Sequence, residues 1–182
     1  QAPSIYWYLS AILYLIISIG QPFSKDLLLW SVKFFPAIFG ALISIAMYFL
    51  AKEVFNDKRV ALITAFLAAI TPAFVYRTMG GFFEEDSLGF LWLVLGFIFL
   101  VMAIQNRHKL KNWLIYSIVG AFFFFLMAIT WDMFLLIPLV LVSYFGTMLV
   151  YMAIKKIDKK EILAFSKVFL TCFLLFTIVT TM

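Results

Sequence analysis

Residues 87–105 read SLGFLWLVLGFIFLVMAIQ, a stretch long enough to cross a lipid bilayer and free of charged side chains. The hydrocarbon core of a bilayer is about 30 Å thick, and an α-helix crosses it with about 20 mostly apolar residues. A transmembrane β-strand would need only about ten residues, of strictly alternating polarity. Because this stretch is longer than that and continuously apolar, it predicts a transmembrane helix.

Further apolar stretches of similar length lie on both sides of it. They cover residues 28–51, 59–76, 113–130, 133–154 and 162 to the end of the sequence. A shorter apolar run at 5–20 can be a tilted span or a helix that lies in the membrane interface. We therefore predict an all-α fold, a polytopic transmembrane helix bundle with about six spanning helices and one N-terminal interfacial helix.

The composition of the chain excludes an ordinary soluble domain. Hydrophobic residues make up 66% of the 182 residues and charged residues 13%, against about 45–50% and about 25% in soluble proteins. A water-soluble fold of this length could not bury so much apolar surface. No soluble domain, linker or helical repeat is visible in the sequence, so we predict a single transmembrane domain over residues 1–182.

The basic residues are distributed unevenly between the predicted loops. If segment 77–86 is an outer loop, alternation of the helices places most of the 14 Lys and Arg residues on the inner side. These inner residues are Lys52, Lys58, Arg59, Arg107, Lys109, Lys111, Lys155, Lys156, Lys159, Lys160 and Lys167. The positive-inside rule then predicts cytoplasmic basic loops and an extracellular segment 77–86 in the cell membrane. The net charge of +5 is thus explained by anionic lipid, and no nucleic-acid partner is expected.

Segment 77–87, RTMGGFFEEDS, holds the densest group of acidic residues on the predicted outer side. Its two glycines interrupt any helix that continues from the preceding span. Asp86 or Ser87 is a suitable N-cap for the next helix. Residues 84–86 are therefore expected to be extended, and in an extended chain Glu84 and Asp86 point to the same side.

Two converging carboxylates repel each other unless a cation lies between them. The N-terminus of a helix supplies only about half a positive charge, and Arg77 is a nearby cation. A divalent ion with oxygen ligands is a more complete solution, and Mg²⁺ or Mn²⁺ suits a site that handles phosphate. A solvated loop without a ligand explains the same residues, so the pattern alone leaves both interpretations open.

From Pro72 to Leu88 the sequence resembles the second acidic motif of oligosaccharyltransferase catalytic subunits, of the archaeal AglB and bacterial PglB type. The matching features, in order, are Pro72, Arg77-Thr78, Gly80-Gly81, Phe82-Phe83 and Glu84-Glu85-Asp86. Trp131 is similar to a family tryptophan, although Asp132 follows here where the family usually has glycines. The resemblance extends over essentially the whole chain and implies a GT-C-like membrane fold.

The resemblance implies an enzyme, a dolichyl-(di)phosphooligosaccharide–protein glycotransferase. Its partners would be a lipid-linked oligosaccharide donor, an acceptor polypeptide with an Asn-x-Ser/Thr sequon, and membrane lipid. Glu84 and Asp86 would be catalytic carboxylates that hold a divalent metal, Mn or Mg, and Arg77 would approach the substrate phosphate. The family usually has Asp at the first of these positions, so Glu84 would reach the metal either directly or through water.

The resemblance also implies that other parts of the site lie outside these residues. They are a first acidic residue, a later glutamate, and a Trp-Trp-Asp sequence in a soluble domain that reads the sequon. The chain alone is therefore expected to be inactive. Two alternatives are another polyprenyl-phosphate-dependent membrane glycosyltransferase and a non-catalytic packing subunit or transporter. A transporter normally carries ionisable groups near the bilayer midplane, and the predicted spans contain almost none.

Overall fold

The computed structural model describes residues 5–181, and this part of the chain is an all-α bundle, as predicted. Eight α-helices and a short 3₁₀ turn (Asp132–Leu135) follow one another in these residues. The helices are α1 (Ile5–Ile17), α2 (Lys25–Phe55), α3 (Lys58–Ile70), α4 (Pro72–Thr78), α5 (Asp86–Gln105), α6 (Leu110–Thr130), α7 (Leu136–Ile154) and α8 (Lys159–Thr181). The last predicted span lies within α8 except for Met182, which is outside the described residues.

Five of these helices, α2, α5, α6, α7 and α8, are each long and apolar enough to cross a membrane. A sixth span results if α3 and α4 are counted together. The prediction of about six spanning helices is therefore confirmed. With 13 residues, α1 is shorter than these spans, and its position in the membrane interface stays a prediction.

Segment 59–76 was predicted as one continuous span, and this prediction is wrong. The helix ends at Ile70, and α4 continues at an angle of 62° to α3. Proline has no N–H to continue the hydrogen-bond ladder, and it drives the preceding residue out of the helical region. Thr71 accordingly has φ −61° and ψ 119°, and Pro72 takes the first position of α4, where proline is tolerated.

Helix α2 extends beyond the predicted span 28–51 at both ends. Its N-cap is Ser24, whose hydroxyl accepts a hydrogen bond from the Leu27 N–H at 3.3 Å. It ends where Asn56 adopts a left-handed conformation with φ 52°. Its 31 residues give a length of about 46 Å. The helix is thus longer than the apolar stretch, and its first and last turns contain charged residues.

Helix α5 occupies the centre of the bundle, between α2 on one side and α6 and α8 on the other. It is apolar on every face, as expected for a helix that other helices surround. Small residues allow membrane helices to approach closely. At Gly96 of α5 a Cβ would lie 2.5 Å from the ring of Phe124 on α6, so this contact requires glycine.

Helix α7 lies at the edge of the bundle and is the least buried of the five spans. It packs against α8 and the 3₁₀ turn. Large apolar side chains are exposed on the outer faces of most helices. Such surfaces are stable in lipid, where exposed hydrocarbon carries no hydration cost.

Candidate functional site

The acidic loop, residues 79–85 between α4 and α5, contacts α2 through Gly80 and Gly81. Gly81 has φ +98°, a conformation that favours glycine, and its N–H donates a hydrogen bond to the Lys33 carbonyl oxygen at 2.9 Å. A Cβ on Gly80 would lie 3.3 Å from the same oxygen. The loop backbone therefore approaches α2 closely, and the prediction that these glycines end the preceding helix is confirmed.

The two phenylalanines that follow the glycines have different partners. The Phe82 ring lies under the Arg77 guanidinium, with the Cζ atom 5.5 Å from the ring centroid. The Phe83 ring packs against α1, at centroid distances of 4.7 Å to Tyr6 and 5.0 Å to Trp7. One aromatic residue thus supports the arginine, and the other anchors the loop to the bundle.

Tyr6 is fully buried where α1 meets the loop. Its ring lies 4.9 Å from Phe35 of α2, edge to face. Burial raises the pKa of its phenol to about 12, because the charged form loses its hydration. The buried ring of Tyr6 thus anchors the loop through its contacts with Phe35 and Phe83.

Arg77 joins the two predicted site carboxylates. Its Nη1 atom lies 3.1 Å from Glu84 Oε2 and 2.8 Å from Asp86 Oδ2. The side chains of Arg77 and Glu84 are about half exposed, whereas that of Asp86 is 22% exposed. The expectation that Glu84 and Asp86 point to the same side is confirmed, and Arg77 is close to both.

The extended backbone predicted for residues 84–86 is wrong. Glu85 has helical dihedrals, φ −67° and ψ −12°, so residues 84–86 are not a continuous extended segment. Neither Asp86 nor Ser87 is the N-cap, because α5 begins at Asp86 and Glu85 holds the cap position without a side-chain hydrogen bond. Asp86 instead lies in the first turn, where the helix dipole favours a negative charge.

A cavity of about 550 Å³ opens beside this ion-pair cluster. It is lined by Thr71, Ala73, Phe74, Arg77, Thr78, Asp86, Ser87, Phe90 and Trp131. Asp86 and Arg77 therefore face the cavity, while Glu84 stands outside its lining. Sequence reasoning missed Phe74, Ser87 and Phe90. Helical spacing of three or four residues places Phe74 beside Arg77 and Thr78, and Phe90 beside Asp86, but it does not indicate that the two groups meet at one cavity.

Trp131 closes one side of the cavity at the end of α6. Its N–H caps the helix by donating to the Met127 carbonyl oxygen at 2.8 Å. Its side chain packs on the first turns of α5, where a Cβ on Gly89 would lie 2.7 Å from the Trp131 Cβ atom. Because Gly89 has no side chain, Trp131 can pack against α5 at this point and line the cavity.

Glu84 and Asp86 supply two carboxylates, which is only part of the ligand set that a divalent metal requires. Within residues 5–181, no three or more His, Cys, Asp or Glu side chains group closely enough to hold a metal ion by themselves. Glu84 and Asp86 place one oxygen each around a common point, which the guanidinium of Arg77 occupies. Mg²⁺ characteristically binds through one or two carboxylates and completes its shell with water and substrate phosphate.

The fold and this site define a class, a multi-pass membrane protein with an acidic cluster at one end of its central helix. Comparison with known proteins identifies the family: the model for "Oligosaccharyl transferase STT3, N-terminal" matches residues 1–182, and the chain belongs to this family. The predicted resemblance is therefore confirmed. A similar protein from Archaeoglobus fulgidus is the "Dolichyl-phosphooligosaccharide-protein glycotransferase 3", 34% identical over 121 residues. The match covers 62% of this chain and 14% of the relative.

Proposed function

We propose that this chain carries part of the active site of an oligosaccharyltransferase. The reaction transfers an oligosaccharide from a dolichyl-type lipid phosphate to the side-chain amide of Asn in an Asn-x-Ser/Thr sequon. The observation that carries the proposal is the convergence of Glu84 and Asp86 on one atom at the edge of a 550 Å³ cavity, in a chain of this family.

Glu84 and Asp86 are the proposed ligands of Mn²⁺ or Mg²⁺. The metal supplies Lewis-acid stabilisation of the phosphate that leaves as the sugar–oxygen bond breaks. Asp86 faces the cavity and is the more enclosed of the two, so we expect it to be the stronger ligand. Asp86 is also the carboxylate better placed to accept a hydrogen bond from the acceptor amide and so to activate this poor nucleophile.

Arg77 is proposed to bind the donor phosphate. A guanidinium pairs with phosphate through two parallel hydrogen bonds, and Arg77 is exposed enough to turn from the carboxylates towards the cavity that it already lines. We further propose that segment 77–86 faces the outside of the cell and that the basic loops are cytoplasmic. An outer site matches an acceptor polypeptide that has already crossed the membrane.

The carboxylates are tested by single substitutions in the complete enzyme. Asp86→Ala and Glu84→Ala are expected to lower glycan transfer to a sequon peptide, Asp86→Ala by at least about 100-fold, because loss of charge stabilisation at the leaving group affects the transition state directly. Glu85→Ala is the matched control, since it removes the same charge from the residue between them. The readout is the initial rate at saturating Mn²⁺, with correct folding confirmed by gel filtration in detergent.

The proposed function is rejected if Asp86→Ala and Glu84→Ala both retain wild-type transfer rates. Equal losses in all three variants would show a general effect of charge, and would remove the two carboxylates from the metal site.

A further inference from the structure

A second cavity, of about 360 Å³, lies at the other end of the bundle from the acidic loop. It is formed where the first turns of α6 and α8 meet the end of the α5–α6 connection. Its volume falls within the range of about 300–1,000 Å³ that is typical of small-molecule sites. Its basic lining side chains are Arg107, His108, Lys160 and Lys167.

Glu161 holds two of these basic groups in place. Its Oε2 atom accepts hydrogen bonds from Arg107 Nε at 2.9 Å and Arg107 Nη2 at 2.6 Å. Its Oε1 atom lies 3.1 Å from His108 Nε2. One carboxylate therefore offsets the charge of Arg107, and its contacts form one wall of the cavity.

Lys160 and Lys167 supply positive charge that this carboxylate does not offset. Within the described residues, neither lysine takes part in the ion pairs of the structure. Residues 160, 163, 164 and 167 recur at helical spacing and share one face of α8. The two lysines are about 10 Å apart along the helix axis, and the small side chain of Ala164 leaves open space between them.

Lys167 lies two turns inside α8, among apolar residues of a membrane span. A lysine at such a depth extends its amine towards the interface, where an anion is a favourable partner. An anion in this cavity would be such a partner for Lys160 and Lys167 together. A basic pocket between membrane helices is a recognised feature of sites for anionic lipid head groups.

The remaining lining residues are apolar and face outwards. The side chain of Leu110 is 70% exposed and that of Leu163 is 57% exposed, next to the half-buried indole of Trp113. Tryptophan is enriched at the level of lipid head groups. The cavity therefore offers positive charge for an anionic head group and exposed apolar surface for the acyl chains of a lipid. A free anion would use only the positive charge.

We propose that this cavity binds an anionic phospholipid, whose head-group phosphate is held between Lys160 and Lys167 and whose apolar part lies against Trp113 and Leu163. The site is separate from the acidic loop, and the proposal does not depend on the proposed transferase function.

The test measures lipid binding to the complete protein, purified in a neutral detergent and stripped of native lipid. Phosphatidylglycerol is titrated, and bound lipid is counted by native mass spectrometry. Lys160→Gln/Lys167→Gln is expected to weaken phosphatidylglycerol binding by about five-fold for each lysine removed. Lys155→Gln/Lys156→Gln is the matched control, with the same loss of charge in the adjacent loop, outside the cavity, and it should bind as wild type.

A second variant distinguishes binding in the cavity from general attraction to surface charge. Ala164→Leu fills the space between the lysines without changing the charge, and it is expected to weaken binding as well. The proposal is overturned if the two double variants lose binding equally, or if phosphatidylcholine binds as tightly as phosphatidylglycerol. It is also overturned if inorganic phosphate at millimolar concentration displaces the lipid, because this result would indicate a site for free phosphate.

Discussion

At the scale of single residues, the acidic site consists of two carboxylates that share one guanidinium. Arg77 holds the point on which Glu84 and Asp86 converge. A divalent cation and the guanidinium cannot occupy this point together, since like charges at such distances repel strongly. Under the proposed function, Arg77 is a stand-in cation that keeps the carboxylates together, and it would become available for phosphate if a metal were bound in its place.

Competition between Arg77 and a metal for the two carboxylates predicts that Arg77→Ala has different effects on the Mn²⁺ requirement and on the KM for the donor. The Mn²⁺ concentration required for half-maximal activity is expected to stay the same or fall, because a competing cation has been removed. The KM for the lipid-linked donor is expected to rise about tenfold or more, the usual cost of losing a hydrogen bond to a charged group. Separate titrations of Mn²⁺ and donor measure the two effects. A raised Mn²⁺ requirement with an unchanged donor KM would contradict the assignment and make Arg77 a support for the metal.

Gly81 is the residue whose backbone conformation matters most for the loop. Gly81→Ala is expected to lower transfer activity, because an L-residue at φ +98° is strained by about 1–3 kcal/mol and shifts the loop away from α2. Gly20→Ala is the control, since Gly20 has φ +78° in a different loop and, like Gly81, has open space around its Cβ position. Both variants should lose a similar amount of stability in thermal unfolding, and Gly81→Ala alone should lose activity. Equal activity losses would contradict a specific role for this turn.

At the scale of elements, hydropathy predicted where the helices lie but missed the bend at Thr71. The apolar stretches lie in helices because backbone groups in lipid must be hydrogen-bonded within the segment, although 59–76 is broken into two helices. Ser24 and Asn56 extend α2 beyond its apolar stretch through capping, which hydropathy does not measure. The bend depends on Pro72, and membrane helices often tolerate proline without breaking. The angle of 62° brings Phe74 and Arg77 to the cavity, so its lining could not be derived from the sequence.

The closest contact between two spans gives an element-scale prediction. Gly96→Ala would place a Cβ 2.5 Å from the Phe124 ring, and such overpacking is expected to lower the stability of the bundle by about 1–3 kcal/mol. Gly146→Ala in α7 is the matched control, since nothing lies within 4 Å of its Cβ position, and alanine favours a helix more than glycine does. The midpoint of unfolding in detergent should fall for Gly96→Ala and stay the same or rise for Gly146→Ala. Equal midpoints would contradict the close contact between Gly96 and Phe124.

At the scale of the whole molecule, α5 separates two sites of opposite charge. The acidic cluster lies at its first turn, and the basic cavity lies beyond its last. Its 20 residues span about 30 Å, close to the thickness of the hydrocarbon core. We therefore expect the two sites at opposite membrane surfaces, so that determining the side of one would determine the side of the other.

The orientation can be measured at the two ends of α6, in a background that lacks other cysteines and carries Cys172→Ser. Asp132→Cys follows the helix on the side of the acidic cluster, Lys111→Cys lies in its first turn, and both positions are exposed. Because basic loops are retained in the cytoplasm, a membrane-impermeant maleimide should label Asp132→Cys in intact cells. It should label Lys111→Cys only after the membrane is permeabilised. The reverse pattern would place the carboxylates inside the cell, where an acceptor that has crossed the membrane cannot reach them.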